Sequence, residues 1–346
     1  GRGYIETVKS KTILLTGGCG FLGQHLTRLL LEAFPDAHIR IIDLAANPFA
    51  YQDFSVEPRV ETRLGLDICN LPSIEDSFQG VDSVVHLASL VSSSLIDKQA
   101  LERINVLGTR NVLRAARHHD VNLFLHVSSV AGLGFTDNPQ RPADESLEFD
   151  WSIARASNNH YMLSKSRADR EVEAYRRSGG AAVIVYPAIL FGPGDYRNSA
   201  RIIRAVARGR GVVSLPGGSN VADVRDVGRG IVAALQRDVR GGNYLLSGWN
   251  LSVHEIFSTI ASVVGARRPR ITLPTFLRPL LYRGLLATEV VSRRRLALSA
   301  SDADLGFRYR YFDNSKALQS LGWAPAINFR QTVTDAFAWM RSRGIA

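Results

Sequence analysis

The chain is predicted to fold as an α/β protein on a doubly wound parallel sheet, with a smaller, interleaved domain formed mainly by its carboxyl-terminal part. Three observations carry that expectation. Short, almost continuous apolar runs alternate with amphipathic helical stretches through the first half, the pattern of strands buried on both faces under helices. A glycine-rich turn, TGGCGFLG at Thr16 to Gly23, falls between the first apolar run and the first helical stretch. Beyond Leu190 the texture changes, and glycine- and proline-rich loop signals separate shorter segments.

Taken in order, Thr12 to Thr16 (TILLT) reads as the first strand and Phe21 to Leu31 as the helix that follows. His38 to Asp43 is a second strand, Val60 to Leu64 a third, and Val81 to Leu87 (VDSVVHL) a fourth. A long helix covers roughly Leu101 to His118, with Leu101, Ile104, Leu107, Val112 and Ala115 along one side. Val121 to Ser128 and Ala182 to Ile189 are the fifth and sixth strands. FGPGD at Phe191 to Asp195 and LPGGSN at Leu215 to Asn220 read as loops, with a helix over Ala200 to Ala207 between them. Asp226 to Gln236 is a further helix, Asn243 to Leu246 (NYLL) a short strand, and Leu251 to Val264 and Thr332 to Arg343 later helices. Residues 10–190 then form a cofactor-binding domain completed by about 223–248, and residues 191–222 and 249–346 mainly a substrate domain.

At 346 residues, 45% hydrophobic and 21% charged, the chain can bury a substantial core and suits a soluble globular protein. Two cysteines exclude a disulfide framework and point to a reducing, cytoplasmic compartment. No four-ligand Cys/His cluster exists, so no structural zinc is expected. His118 and His119 read as a solvated helix end. The amino-terminal GRGYIETVKSK lacks the apolar centre of a secretory signal, and no run of about 18 apolar residues is present to span a membrane. The net charge of +10 comes from widely spread arginines, with one short run at Arg293 to Arg295 and no nucleic-acid module around it. A solvated basic surface with some affinity for anionic ligands accounts for it.

The glycine turn sits where such a pattern has meaning. Gly17 permits the tight turn, Gly20 lets the backbone approach a pyrophosphate, and Gly23 allows close packing of helix on strand. The amides of Phe21 and Leu22, at the helix start, would face the phosphates. Asp43 closes the second strand about 20 residues beyond Gly23, where a carboxylate holds the adenosine ribose of NAD and repels the extra phosphate of NADP. NAD is therefore the expected cofactor. Asp67, after the third strand, either caps an adenine pocket or starts a turn. His86, Leu87 and Ala88 end the fourth strand at the ligand edge of such a sheet, the histidine being structural or catalytic.

Ser128 and Ser129 end the fifth strand, and Tyr161 and Lys165 lie four apart on one face of the next helix. Tyrosine has an unperturbed pKa near 10, and a close ammonium is expected to lower it. Tyr161 would then exchange a proton with a substrate oxygen as general acid/base, and Ser129 would hydrogen-bond the same oxygen. Lys165 would also hold the nicotinamide ribose. Tyr-x-x-x-Lys alone arises often by chance; its weight comes from four features falling in the right order.

From Thr12 to about Arg343 the chain resembles an extended short-chain dehydrogenase/reductase. The match rests on TGGCGFLG, Asp43, HLAS at His86 to Ser89, INVLGTRNVL at Ile104 to Leu113, Ser129 and the Tyr161/Lys165 pair. The resemblance implies a Rossmann-type domain. It places Ile68 with Asp67, Leu87 and Ala88 at the cofactor, Asn105 near the cofactor and Lys165, and Pro187 and Leu190 beside the nicotinamide. It also implies a homodimer through the helices carrying Asn105 and Tyr161. IRIID at Ile39 to Asp43 and YFDNSKALQSLGW at Tyr311 to Trp323 are similar to the 3β-hydroxysteroid dehydrogenase branch. PGGSNVADVRDVGRG at Pro216 to Gly230 is similar to dihydroflavonol reductase-like proteins.

Two departures weigh on the substrate. Sugar dehydratases of this family carry an Asp-Glu pair where this chain has Val130 and Ala131. Nucleotide-sugar enzymes carry an arginine where Ser219 falls; Arg225 is expected to pair structurally with Asp226 at a helix start. Leu273 to Leu298 (LPTFLRPLLYRGLLATEVVSRRRLAL) spaces leucines almost helically among arginines, which suits an apolar cover for a hydrophobic substrate, plain core packing, or peripheral contact with a membrane surface. The expectation is NAD-dependent interconversion of a secondary alcohol and a ketone on a hydroxysteroid-like or flavonoid-like ring, tilted toward oxidation by Asp43. The alternatives are a nucleotide-sugar 4-epimerase that retains NAD and a non-catalytic NAD-sensing protein.

Overall fold

The apolar runs pair as parallel strands because each has two faces to bury. A computed structural model describes residues 11–346; residues 1–10, within the amino-terminal stretch read above, lie outside the described residues. In chain order the first elements are β1 (Thr12–Thr16), α1 (Phe21–Ala33), β2 (His38–Asp43), β3 (Val60–Leu64) and β4 (Ser83–His86). A helical run α2 (98–118) follows, then β5 (Leu123–Val127), α3 (His160–Arg177) and β6 (Ala182–Pro187). With β7 (Ile189–Phe191), β8 (Gly218–Asp223), α4 (Val224–Gln236) and β9 (Asn243–Leu246), the chain passes between two sheets. The main sheet has seven parallel strands in the order β3-β2-β1-β4-β5-β6-β9. The order reverses between β1 and β4, the switch point where ligands bind at the carboxyl ends of the strands.

Alternation along the strands feeds two cores. Ile13, Leu15, Ile39 and Ile41 pack against Leu26 and Leu30 of α1 and Ile231 of α4. Leu14, Ile42, Val84 and Phe124 face the other way, onto Val112 of α2 and Leu163 and Val172 of α3. The remaining elements are β10 (Trp249–Ser252), α5 (Val253–Val264), α6 (Arg278–Ser292), α7 (Ala300–Gly306), β11 (Tyr309–Arg310) and α8 (Phe329–Ser342). They build a second sheet in which β8 runs between β10 and β11 and also pairs β7. Phe191, Ile203, Ile260 and Val333 fill a third core beside it.

Two expectations need correction here. The stretch read as a loop at Leu215 to Asn220 becomes strand from Gly218 onward, with every residue of β8 buried. The signal misled because Gly218 serves packing: a Cβ there would lie 2.5 Å from the Tyr311 hydroxyl. The long helix near Asn105 is also not uniform. It is α-helical at Lys98–Leu101 and Thr109–His118 but π-wound over Glu102–Gly108, a local widening often found at functional positions. Among the described residues no helix is long and apolar enough to cross a membrane.

Candidate active site

The cofactor cradle forms where β1 turns into α1. Gly17 has a φ of +70°, and a Cβ on it would come within 2.7 Å of the Ala88 Cα, so the turn is sealed against the end of β4. A Cβ on Gly23 would sit 2.4 Å from the Gly18 carbonyl oxygen, so only glycine lets α1 pack this closely on the turn. Gly20, the N-cap of α1, meets only the Gly17 oxygen, at 3.1 Å. No acidic side chain occupies the first turn of α1, which leaves its Phe21 and Leu22 amides and its positive dipole end to an anion.

Asp43 reaches this turn. Its Oδ2 accepts from the Cys19 amide at 3.0 Å and its Oδ1 from the Leu44 amide at 2.7 Å. Burial raises its pKa, against the pull of those amides. A half-buried carboxylate at the tip of β2, fixed to the glycine turn, fits a ribose hydroxyl pair, and the cradle as a whole fits NAD. Asp67 is a turn former: its Oδ1 accepts from the Cys69 amide at 2.9 Å. Ile68 is buried against the π-wound turn, where a Cβ on Gly108 would overlap it at 2.5 Å, and its carbonyl accepts from Asn111 Nδ2 at 2.9 Å. The Leu87 amide donates to the Thr16 carbonyl at 3.0 Å and the Ala88 amide to Thr16 Oγ1 at 3.3 Å. His86 is structural. Buried in the sheet, it bridges Thr16 Oγ1 at 2.6 Å and Thr109 Oγ1 at 3.0 Å, and its pKa falls well below the ordinary value through burial.

Asn105 works as a clamp. Its Oδ1 accepts from the Leu90 amide at 2.7 Å, and its Nδ2 donates to the Leu90 carbonyl at 3.0 Å and to Ser164 Oγ at 2.9 Å. The π-wound turn thereby ties the loop after β4 to the residue beside Lys165. Pro187 ends β6, and Leu190 lies in β7, half-buried against the main core.

Ser129, Tyr161 and Lys165 converge beyond β5. Ser129 is extended and caps the short helix Val130–Leu133, its Oγ accepting from the Ala131 amide at 3.2 Å. Ser129 lies close enough to the Tyr161 hydroxyl to favour its ionised form. Lys165 is fully buried and its Nζ donates to the Val127 carbonyl at 3.3 Å. The electrostatics differ from the sequence expectation. Burial raises the Tyr161 pKa and the Asp169 charge adds to the rise, so the neighbouring Ser129 side chain is the influence that lowers it. The reason lies one turn further on. Burial pulls Lys165 down to about 8, and the opposing Asp169, itself pushed up to about 6 by burial, is its countercharge.

Sequence reasoning missed this inner set. Asp169 faces Lys165 from the next turn of α3, lies 3.4 Å from His126 Nε2, and both its carboxylate oxygens are buried without a hydrogen-bond partner. Its signal was present: an acid four residues after Lys165 shares its helical face. Arg310 was missed too. Its Nε is buried without a partner, burial lowers its pKa to about 10, and it lies opposite Ser219 across the β8–β11 pair. Arg225 pairs with Asp223 at 2.7 Å and Asp335 at 2.8 Å, not with Asp226 as expected, because Asp226 turns inward to Trp323, Ala326 and Ile327.

Helix α6 packs on α7 and reaches the turn before α3 through Tyr282. The Tyr282 hydroxyl accepts from Asn158 Nδ2 at 2.9 Å and donates to the Ala156 carbonyl at 3.2 Å, just before α3 begins. Arg278 holds Asp304 at 2.7 Å, and Arg295 holds Asp97 at 2.7 Å in the segment after β4.

Residues 13–247 match the family described as NAD dependent epimerase/dehydratase. The chain belongs to that family. A sterol demethylase protein B of Methylococcus capsulatus is 30% identical over 343 residues, covering 96% of this chain and 99% of its own. A 3beta-hydroxysteroid-dehydrogenase/decarboxylase of Arabidopsis thaliana is 26% identical, covering 97% of this chain and 82% of its own. The solved structure of gox2253 superposes with a TM-score of 0.79 at 27% identity over 97% of this chain and 99% of that one. The family member is thus an NAD-dependent enzyme of the extended short-chain dehydrogenase/reductase type. When bound, NAD supplies the hydride acceptor or donor. The glycine turn and Asp43 are the residues that would hold it.

Proposed function

We propose that this family member interconverts a secondary alcohol and a ketone on a hydrophobic ring substrate, hydroxysteroid-like or flavonoid-like. In the oxidative direction bound NAD would be the hydride acceptor, and the alcohol's hydroxyl proton passes to the protein, giving the ketone, the reduced cofactor and a proton. Tyr161 takes that proton, and Ser129 steadies the substrate oxygen. The observation that carries the reading is the company of the Tyr161–Ser129 pair. Val130 and Ala131 follow Ser129 with no acid for elimination, and the adjacent α6 turns Leu281, Leu285 and Leu286 away from full exposure. Relatives named for sterol and hydroxysteroid chemistry span nearly the whole chain and support the same class.

The test is absorbance of reduced nicotinamide with NAD and a panel of hydroxysteroids and other ring alcohols. The expected result is a rising signal abolished in Tyr161→Phe while NAD binding persists. That persistence with lost turnover also removes the non-catalytic NAD-sensor reading.

A nucleotide-sugar 4-epimerase has one observation in its favour. Arg310 stands opposite Ser219, so a buried cation is offered beside the position where the sequence lacked one. A flat signal across the panel with NAD bound, and UDP-sugar turnover lost in Arg310→Met, would select that reading.

A further inference from the structure

Helix α6 is apolar on two sides. Its inner side, with Tyr282, Leu285, Leu286 and Glu289, is half-buried to buried. Its outer side is not. Phe276, in the turn before it, is 77% exposed, Leu280 is 71% exposed and Val291 is 84% exposed. Gly284 and Ala287 lie between the last two at helical spacing, so one continuous outward stripe carries small and apolar residues. Arginines flank it. Among the described residues Arg283, Arg293 and Arg294 make no ion pair, whereas Arg278 and Arg295 are engaged by Asp304 and Asp97. The one acid between Leu273 and Leu298 is Glu289, which is buried and accepts from the Ala300 amide at 3.3 Å.

We propose that this outer face of α6 docks on an anionic lipid surface. Apolar side chains this exposed and this aligned mark an interaction site, since scattered exposure would need no explanation. The accompanying charge decides the partner. A second copy of the chain on a two-fold axis would set these arginines against their own mates with no acid to meet them. An apolar stripe flanked by free cations is the pattern of a helix lying in a membrane interface, with its apolar side chains below the headgroups and its cations among them. Val91 and Ile96, 51% and 49% exposed, lie in the segment after β4 that Arg295 tethers through Asp97. The inner side of the same helix reaches the turn before the catalytic helix through Tyr282, so docking would set the substrate side of the enzyme at the lipid. That consequence rests on the hydrophobic-substrate reading, but the docking itself does not.

The experiment is co-sedimentation of the full chain, saturated with NAD, with vesicles of phosphatidylcholine alone or with phosphatidylglycerol mixed in. No substrate is present, so its outcome is independent of the redox assay. The expected result is binding to the anionic vesicles, little to the neutral ones, and weakening as salt rises. The triple variant R283Q/R293Q/R294Q should lose binding on the order of a hundredfold, from the attraction each cation near the surface contributes. The variant F276S/L280S/V291S should also lose at least about tenfold, since it removes the buried part of the contact. Both sets lie on exposed positions, and unchanged thermal melts would show that the fold is kept. Absence of binding to anionic vesicles, or binding by both variants as tight as the parent's, overturns the proposal. So does a dimer in sedimentation velocity that F276S/L280S/V291S converts to monomer, which would give the face to a second copy.

Discussion

Replacing Lys165 by methionine should make the protein more stable and catalytically dead. Lys165 is fully buried, and its pKa is about 8 against an ordinary 10.5. The sign follows from proton counting. Between those two values the unfolded chain holds a proton that the folded chain has released, so stability rises with pH across that window. Below about pH 8 the fold carries a buried ammonium at full cost, which the shift puts at about 3 kcal/mol. Methionine keeps most of the length of the side chain, stopping one atom short of the ammonium, and removes that cost. It also removes a long hydrogen bond to the Val127 carbonyl, at 3.3 Å, and leaves Asp169 without its cation. Asp169 already titrates at about 6, so it takes up a proton near neutrality instead of remaining a bare buried charge. The net gain at pH 7 is then about 2 kcal/mol. An unfolding entropy of about 2.1 cal/mol/K per residue over 346 residues converts this to a rise of about 3 °C in Tm. The assay is thermal and urea unfolding of the cofactor-free protein and the variant at pH 7 and at pH 10.5, with turnover measured in parallel. The stability difference should be full at the lower pH and gone at the higher one. A variant less stable than the parent at pH 7, or a difference that does not change with pH, would refute the reasoning.

Asp169→Asn should lower the Lys165 pKa further and move the alkaline limb of the pH–rate profile to lower pH, with Asp169→Glu restoring it; a profile unchanged in shape would leave Asp169 a merely structural acid. Gly23→Ala places a Cβ 2.4 Å from backbone at Gly18, so it should cost about 1–3 kcal/mol and weaken NAD binding more than tenfold. Gly241→Ala meets nothing within 4 Å and serves as the control, with unfolding and nicotinamide fluorescence titration reading both. Asn105→Ala strips both backbone groups of Leu90 of their partner and should cost about 1–3 kcal/mol, seen as faster hydrogen exchange in the segment after β4.

The main sheet was readable because its strands must be apolar on both faces and its helices on one, and these periods survive in the sequence. β1, β2, β3 and β9 fall where the pattern puts them. The second sheet was not readable, since its strands are held by distant partners. β8 begins with the last three residues of a glycine-rich turn signal, yet Gly218 is there so that Tyr311 can lie on it. β11 is two residues long and pairs only because β8 is beside it. Local composition carries no record of such contacts. The π-wound turn is hidden for a similar reason: its apolar spacing differs too little from ordinary helix to be seen in a single sequence.

The site divides along the same line. Glycine positions and the Tyr161/Lys165 spacing are one-dimensional constraints, and they were legible. The electrostatics were not, because a pKa depends on what surrounds the pair in space. Spacing alone suggested that Lys165 lowers the Tyr161 phenol. In the fold, the burial that places both groups raises the phenol and lowers the ammonium, and Asp169 is the charge that keeps Lys165 protonated. The arrangement therefore stores its cost in the cofactor-free protein. An ammonium held near its titration point gains most from a new hydrogen-bonding partner, which a nicotinamide ribose at the expected position would offer. If that contact forms, the variant Lys165→Met should gain stability in the empty protein and lose NAD affinity together, whereas a variant that gains stability with NAD affinity unchanged would separate the two.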